Sequence, residues 1–181
     1  GVIPRFGTSR DVRWFEGTPC YILHLSNSYE LGDEVVMEGC IQTNPVPDIS
    51  ALPKEGYERM KALLDTHLQE TRMHRWRFNL KTGQTHEEDL DDEVTEFPMV
   101  NGRYKGRPNR YVYTAYMVPG FWLLDGLKKY DLQTGQTQSW RCPPGCYVSE
   151  APFAPRVGAQ SEDDGYVLTF MNDATHQRAE C

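Results

Sequence analysis

Three side chains in this sequence have the type and placement to do chemistry: His24, Glu96 and Glu150. Each glutamate stands two residues before a proline, in Glu96-Phe97-Pro98 and Glu150-Ala151-Pro152, and each follows a copy of one short phrase. Phe78-Asn79-Leu80-Lys81-Thr82-Gly83-Gln84-Thr85 returns as Tyr130-Asp131-Leu132-Gln133-Thr134-Gly135-Gln136-Thr137, 52 positions later. An acidic residue recurring at one place in a repeated unit can build a ring of inward-facing ligands. The competing reading makes both glutamates solubilising charges at strand ends. His24 lies in Tyr21-Ile22-Leu23-His24-Leu25, where a lone histidine is more often a satisfied core or edge residue than a metal ligand. His67, His74, His86 and His176 add no His-x-His or HExxH spacing.

The elements that must carry these residues read mostly as strands and turns. Val12-Phe15, Cys20-Leu25, Val35-Met37, Tyr111-Tyr116, Phe121-Leu124 and Tyr166-Met171 are rich in strand formers. His74, Trp76, Phe78 and Leu80 alternate with Arg75, Arg77 and Asn79, which predicts a strand with one apolar face. Thr82-Gly83 and Thr134-Gly135 supply hairpin turns, the glycine taking a positive φ. Asn44-Pro45-Val46-Pro47 breaks the pattern, because proline cannot donate to a ladder. One segment is helical: from about 53 to 70, Tyr57, Met60, Leu64 and Leu68 recur at helical spacing, and Pro53 suits the first turn. It reads as an insertion on a β scaffold. The acidic stretch Glu87–Glu93 reads as a solvated loop.

Composition narrows the classes. The net charge of -7 argues against a nucleic-acid surface, which needs clustered Lys and Arg. No run approaches the ~18 apolar residues of a membrane span. Five cysteines form no paired CxxC framework, and Cys142 and Cys146 read as ordinary thiols at a loop in a reducing, cytoplasmic setting. Plastid or membrane-peripheral placement are the alternatives.

An antiparallel repeat of about 50 residues is the signature of propeller blades. At 52 residues per repeat, 181 residues make about three and a half blades, short of the four a closed propeller needs. The expected fold is therefore all-β: a partial β-propeller spanning 1–181, truncated at both ends, with one helical insertion.

The motifs then resemble a known family. His24-Leu25-Ser26-Asn27-Ser28-Tyr29-Glu30 is similar to the F-H-x-x-N-A-Y/W-E motif of the carotenoid cleavage oxygenases, with Ser28 in place of the usual alanine. Glu96-Phe97-Pro98 matches that family's E-F-P, and Ser149–Arg156 its S-E-P-x-F-V-P-R. Glu162-Asp163-Asp164-Gly165 matches its E-D-D-G turn. The resemblance implies a seven-bladed propeller, of which this chain supplies about three to four blades, with Fe(II) on the axis held by four histidines. It makes His24 one ligand, with Glu96 and Glu150 as carboxylates that hydrogen-bond iron-bound imidazoles. The other three ligand histidines have no counterpart here, so the chain alone is expected to be inactive. The implied reaction is cleavage of a conjugated C=C bond of an apolar polyene or aryl alkene by O2 into two carbonyls. Isomerisation without cleavage is a related possibility, as is peripheral membrane contact. The alternative from another class is a non-catalytic propeller-like interaction module that lost its iron site.

Overall fold

The structure, a computed structural model, describes residues 1–48, 50 and 55–181. Its frame is two four-stranded antiparallel meanders. The first joins β1 (Tyr21–Leu31), β2 (Glu34–Gln42), β3 (Thr71–Asn79) and β4 (Thr85–Asp89) in that order, with α1 (Gly56–Leu63) inserted between β2 and β3. The second joins β5 (Thr95–Met99), β6 (Tyr111–Met117), β7 (Leu124–Asp131) and β8 (Thr137–Arg141). Five short strands follow: β9 (Cys146–Val148), β10 (Phe153–Pro155), β11 (Gly165–Val167), β12 (Met171–Asp173) and β13 (Arg178–Glu180). β10 pairs with β11, while β12 pairs with both β13 and β9, and β9 touches β7 through Leu124 and Val148. No sheet closes on itself among the described residues.

The repeated phrase is the β3–β4 and β7–β8 hairpin, built twice from one set of bonds. Gly83 and Gly135 take φ of 76° and 73°. The Asn79 side chain accepts from the Lys81 and Thr82 amides at 2.9 Å, and Asp131 accepts from the Gln133 and Thr134 amides at 3.0 and 3.3 Å. Such Asx turns are why Asn and Asp open these loops. A third copy stands at β12–β13. Asp173 accepts from the amides of Thr175 and His176, each at 3.0 Å, and Gln177 takes the glycine's place with φ 53°. Lacking Thr-Gly, this copy leaves little trace in the sequence.

The core lies between successive sheets. Cys40 and Met73 of the first meander pack on Val100, Val112 and Tyr130 of the second. Ala115, Met117 and Leu124 then pack on Val148 of the following strands. Each buried Val, Leu or Met among them contributes about 1.5–3 kcal/mol.

Several expectations are corrected. Val12–Phe15 forms only a bridge from Arg13 to Val2. The helix is shorter than 53–70: α1 ends at Leu63, and Asp65 turns back to accept the His67 amide at 3.0 Å, so residues 66–70 form turns that carry His67 off the helix. Pro53 lies outside the described residues. Phe121–Leu123 are not strand; they follow a turn at Pro119–Gly120, with Gly120 at φ 76°. Tyr166–Met171 splits into β11 and β12. β3 is covered on both faces, because Arg75 is buried against Glu38 at 2.8 Å. The acidic stretch is a solvated loop only in part, with Asp92 and Glu93 exposed in the irregular residues 90–93. Residues 87–89 belong to β4, whose His86 pairs across to Arg77. Asp89 sits 2.5 Å from the buried His74, and Asp91 and Glu93 grip the buried Lys128. No helix of the described residues is long and apolar enough to cross a membrane.

Candidate active site

His24 and Glu96 lie on the first strand of each meander, and both strands are irregular where they stand. β1 shifts register against β2 between Ile22 and Leu25, and again between Leu25 and Asn27. β5 shifts against β6 between Glu96 and Met99. A bulge re-aims the side chain it carries, and here the two bulges point an imidazole and a carboxylate at each other. Two local devices permit this. Leu25 pairs with Gly39, where a Cβ would stand 2.7 Å from the His24 carbonyl oxygen. Phe97 takes a left-handed φ of 55°, at a cost of about 1–2 kcal/mol for a residue with a side chain.

The resulting pair is close: His24 Nδ1 lies 2.8 Å from Glu96 Oε2. The same oxygen accepts the Phe97 amide at 2.6 Å. Glu96 is fully buried, and its Oε1 has no partner among the described residues. Burial pushes its carboxyl above the ordinary range, against the pull of the Phe97 amide and His24. With Nδ1–H donating to the carboxylate, Nε2 is left as the free lone pair. The His24 ring packs on Phe97 with centroids 4.8 Å apart, and Phe97 meets the edge of Trp122 at 6.0 Å.

Two clefts open on His24. The larger, ≈ 640 Å³, is lined by Tyr21, Leu23, Leu64 and Trp122 beside His24 and Phe97. The smaller, ≈ 140 Å³, runs past Leu25, Ser26 and residues 98–100. Glu150 lines both but makes no side-chain hydrogen bond to His24 or any other group among the described residues. The structure thus joins two of the three sequence candidates and leaves Glu150 as an exposed neighbour.

No cluster of three or more His, Cys, Asp or Glu side chains among the described residues is arranged to hold a metal ion. His24 nevertheless has what a ligand imidazole needs: one nitrogen fixed by a carboxylate and the other free at a cleft.

The remaining motif residues serve the scaffold. Asn27 binds the loop before β6, donating to the carbonyls of Tyr104 and Arg107 at 3.1 and 2.9 Å and accepting the Gly106 amide at 2.9 Å. Ser26 donates to the Glu38 carbonyl at 3.0 Å. Glu162 accepts the amides of Arg110 and Tyr111 at 2.9 and 2.8 Å, and Asp164 pairs with Arg156 at 2.6 Å. Gly39, Phe97 and Trp122 are site residues the sequence reading missed. Phe97 was within reach as the middle of Glu-Phe-Pro; the other two carry no motif.

A model of the retinal pigment epithelial membrane protein family matches residues 1–181. The chain belongs to the carotenoid cleavage oxygenase family. It is 34% identical to a carotenoid 9,10(9',10')-cleavage dioxygenase of Crocus sativus, covering 99% of this chain and 34% of that protein. It is 28% identical to lignostilbene-alpha,beta-dioxygenase isozyme III of Sphingomonas paucimobilis, over 96% of this chain and 38% of the relative. The crystal structure of Pseudomonas brassicacearum lignostilbene dioxygenase superposes with a TM-score of 0.78 at 22% identity, over 98% of this chain and 39% of that one. Cobalt-substituted Synechocystis ACO gives 0.72 at 21% identity, over 88% and 32%. This family member spans about a third of the length of the curated relatives it matches.

Proposed function

We propose that the protein carrying this chain is a non-haem Fe(II)-dependent dioxygenase, built as a β-propeller, that splits a conjugated C=C bond of a carotenoid, apocarotenoid or stilbene-like substrate. The reaction balances without an outside reductant: R–CH=CH–R′ and O2 give R–CHO and R′–CHO. The observation that carries the reading is His24, its Nδ1 held 2.8 Å from a buried carboxylate and its Nε2 free where two clefts meet. Bound Fe(II) supplies the open coordination positions that such oxygen chemistry requires. His24 offers one neutral nitrogen ligand, and Glu96 keeps that imidazole in a single tautomer. Phe97 and Trp122 offer aromatic surface to a conjugated chain. Glu150 has a carboxylate without a hydrogen bond among the described residues at the same junction, suited to the N–H of a further imidazole. The relatives' names, which range from carotenoid to lignostilbene cleavage, support the substrate class.

The non-catalytic module is not favoured. A carboxylate buried with one orphaned oxygen costs on the order of 1–3 kcal/mol or more, and at Glu96 that cost falls where an imidazole is held at the junction of two clefts. The test is iron content together with product analysis of the full-length protein. His24→Ala should drop iron to background by elemental analysis and abolish carbonyl products from a polyene or stilbene. Full iron occupancy in the variant would overturn the assignment.

A further inference from the structure

We infer that a second binding site lies between β8 and β11, apart from His24, and that it takes a neutral aryl ketone or aldehyde with a body of about two rings. The cleft there holds ≈ 270 Å³, against the ~150 Å³ of a cavity that accepts one benzene. It shares no lining residue with either cleft at His24. Strand register builds its floor. Tyr113, Lys129 and Gln138 lie side by side across β6, β7 and β8, and Leu127 beside Trp140 forms the next row of the same face. Trp140 keeps 46% of its surface exposed there. The wall is the β10–β11 hairpin: Phe153 pairs with Val167 across it and stacks on Tyr113 with ring centroids 5.2 Å apart.

One polar group in this cleft lacks its partner. Tyr113 is only 6% exposed, yet its hydroxyl makes no hydrogen bond among the described residues. Burial, with Asp163 and Glu162 nearby, pushes the phenol well above its ordinary range, so it stays a donor without an acceptor. A single unmet donor between apolar walls marks where one acceptor atom of a ligand belongs. The cations beside it are already engaged: Lys128 by Asp91 and Glu93, and Lys129 by Asp163 at 2.7 Å. Asp163 and Glu162 therefore set the local sign, and they repel a carboxylate. The acceptor that fits is neutral, a carbonyl oxygen on an apolar body lying against Trp140, Leu127 and Val167. The cleavage proposed above releases carbonyls of this class, although the fit of the cleft does not depend on it.

The experiment uses the full-length protein labelled with 5-fluorotryptophan, the Trp140 and Trp122 fluorine signals being assigned by Trp140→Phe and Trp122→Phe. The probe is 2-acetylnaphthalene. Its controls are 2-ethylnaphthalene, which has the same shape without the acceptor, and 2-naphthoate, which carries an anion instead. The ketone should shift the Trp140 signal saturably and bind about threefold to tenfold more tightly than 2-ethylnaphthalene, the worth of one neutral hydrogen bond. It should also bind more tightly than 2-naphthoate. Tyr113→Phe keeps the ring and its stack on Phe153, and should lower the ketone to the affinity of the hydrocarbon while leaving the hydrocarbon unchanged. Val167→Trp should fill the cleft and abolish the Trp140 shift. No shift at Trp140, as when another part of the full-length protein covers the cleft, overturns the site. So does a shift at Trp122 alone, tighter binding of 2-naphthoate, or a ketone preference that survives Tyr113→Phe. None of the three probes has a chain alkene to cleave, so each of these outcomes leaves the dioxygenase reading untouched. Conversely, a full-length protein that yields no carbonyl products but shows the Trp140 shift keeps this site and loses that reading.

Discussion

Gly39 lies directly against the bulge that carries His24: a methyl group on its Cα would stand 2.7 Å from the His24 carbonyl oxygen and 2.8 Å from a Leu25 methyl. Real Cβ atoms do not approach backbone oxygen so closely, so Gly39→Ala must push β1 and β2 apart where the imidazole is aimed. The expected cost is about 1–3 kcal/mol of stability, as for overpacking elsewhere. The variant should also lose the His24–Glu96 hydrogen bond. That loss is read as disappearance of the hydrogen-bonded Nδ1 proton in the NMR spectrum of the iron-free protein. A variant that keeps this signal and its melting temperature would show that the bulge does not need glycine.

Glu96 makes stability fall with rising pH. Burial raises its carboxyl above the ordinary glutamate value, so the folded state holds that proton more tightly than the unfolded chain. The contribution is complete below the ordinary glutamate range and is lost as pH rises through the raised value. Urea melts of iron-free protein across this window should show the decline, and Glu96→Gln should flatten it. The same variant should weaken iron retention about 10–100-fold, because the amide no longer fixes the imidazole as a carboxylate does. Identical slopes in the two proteins would place the titration elsewhere.

Lys128 is buried, and its ammonium is gripped by Asp91 and Glu93 while lying 5.1 Å from the Tyr130 ring centroid. Burial alone would raise Asp91, but the Lys128 and Glu93 amide contacts outweigh it and hold the carboxyl below its usual range. That contribution is present above the ordinary aspartate pKa and is lost as pH falls through the lowered one. Lys128→Ala leaves two carboxylates facing each other and should cost about 3–5 kcal/mol. Lys128→Met paired with Asp91→Leu should recover most of it, as measured by equilibrium unfolding.

The sequence made the hairpins legible because Thr-Gly with a preceding Asn or Asp is local turn chemistry, complete within six residues. His24 and Glu96 were legible through short motifs around them. What could not be read was long-range. Gly39 matters through β1, residues away in the chain, and the left-handed φ of Phe97 follows from tertiary closure rather than from propensity. The acidic stretch misled for the same reason. Nothing in residues 87–93 announces that His74 and Lys128 will arrive opposite them, and without those partners the run reads as solvated charge. The helix was overextended because Leu64 and Leu68 keep helical spacing, although Asp65 spends its side chain on the His67 and Gly120 amides. Leu64 faces a cleft, where an apolar residue is wanted for a reason unrelated to helix packing.

Gln177 offers a direct test of the repeat. In the first two hairpins the residue four beyond the Asx position is glycine, with φ of 76° and 73°; in the third it is Gln177 at φ 53°. An L-residue with a Cβ is strained in that region, and glycine is not. Gln177→Gly should therefore stabilise the β12–β13 hairpin by a few tenths to about 1 kcal/mol, the gain from strain relief being reduced by the extra freedom glycine gives the unfolded chain. The inverse changes, Gly83→Gln and Gly135→Gln, should destabilise by about 1–2 kcal/mol. Thermal unfolding of the three variants, with amide exchange at Thr175 and His176 to locate the effect, checks the equivalence. A Gln177→Gly protein that melts lower than the wild type would mean the third turn is held by its side chain and is not a copy of the other two.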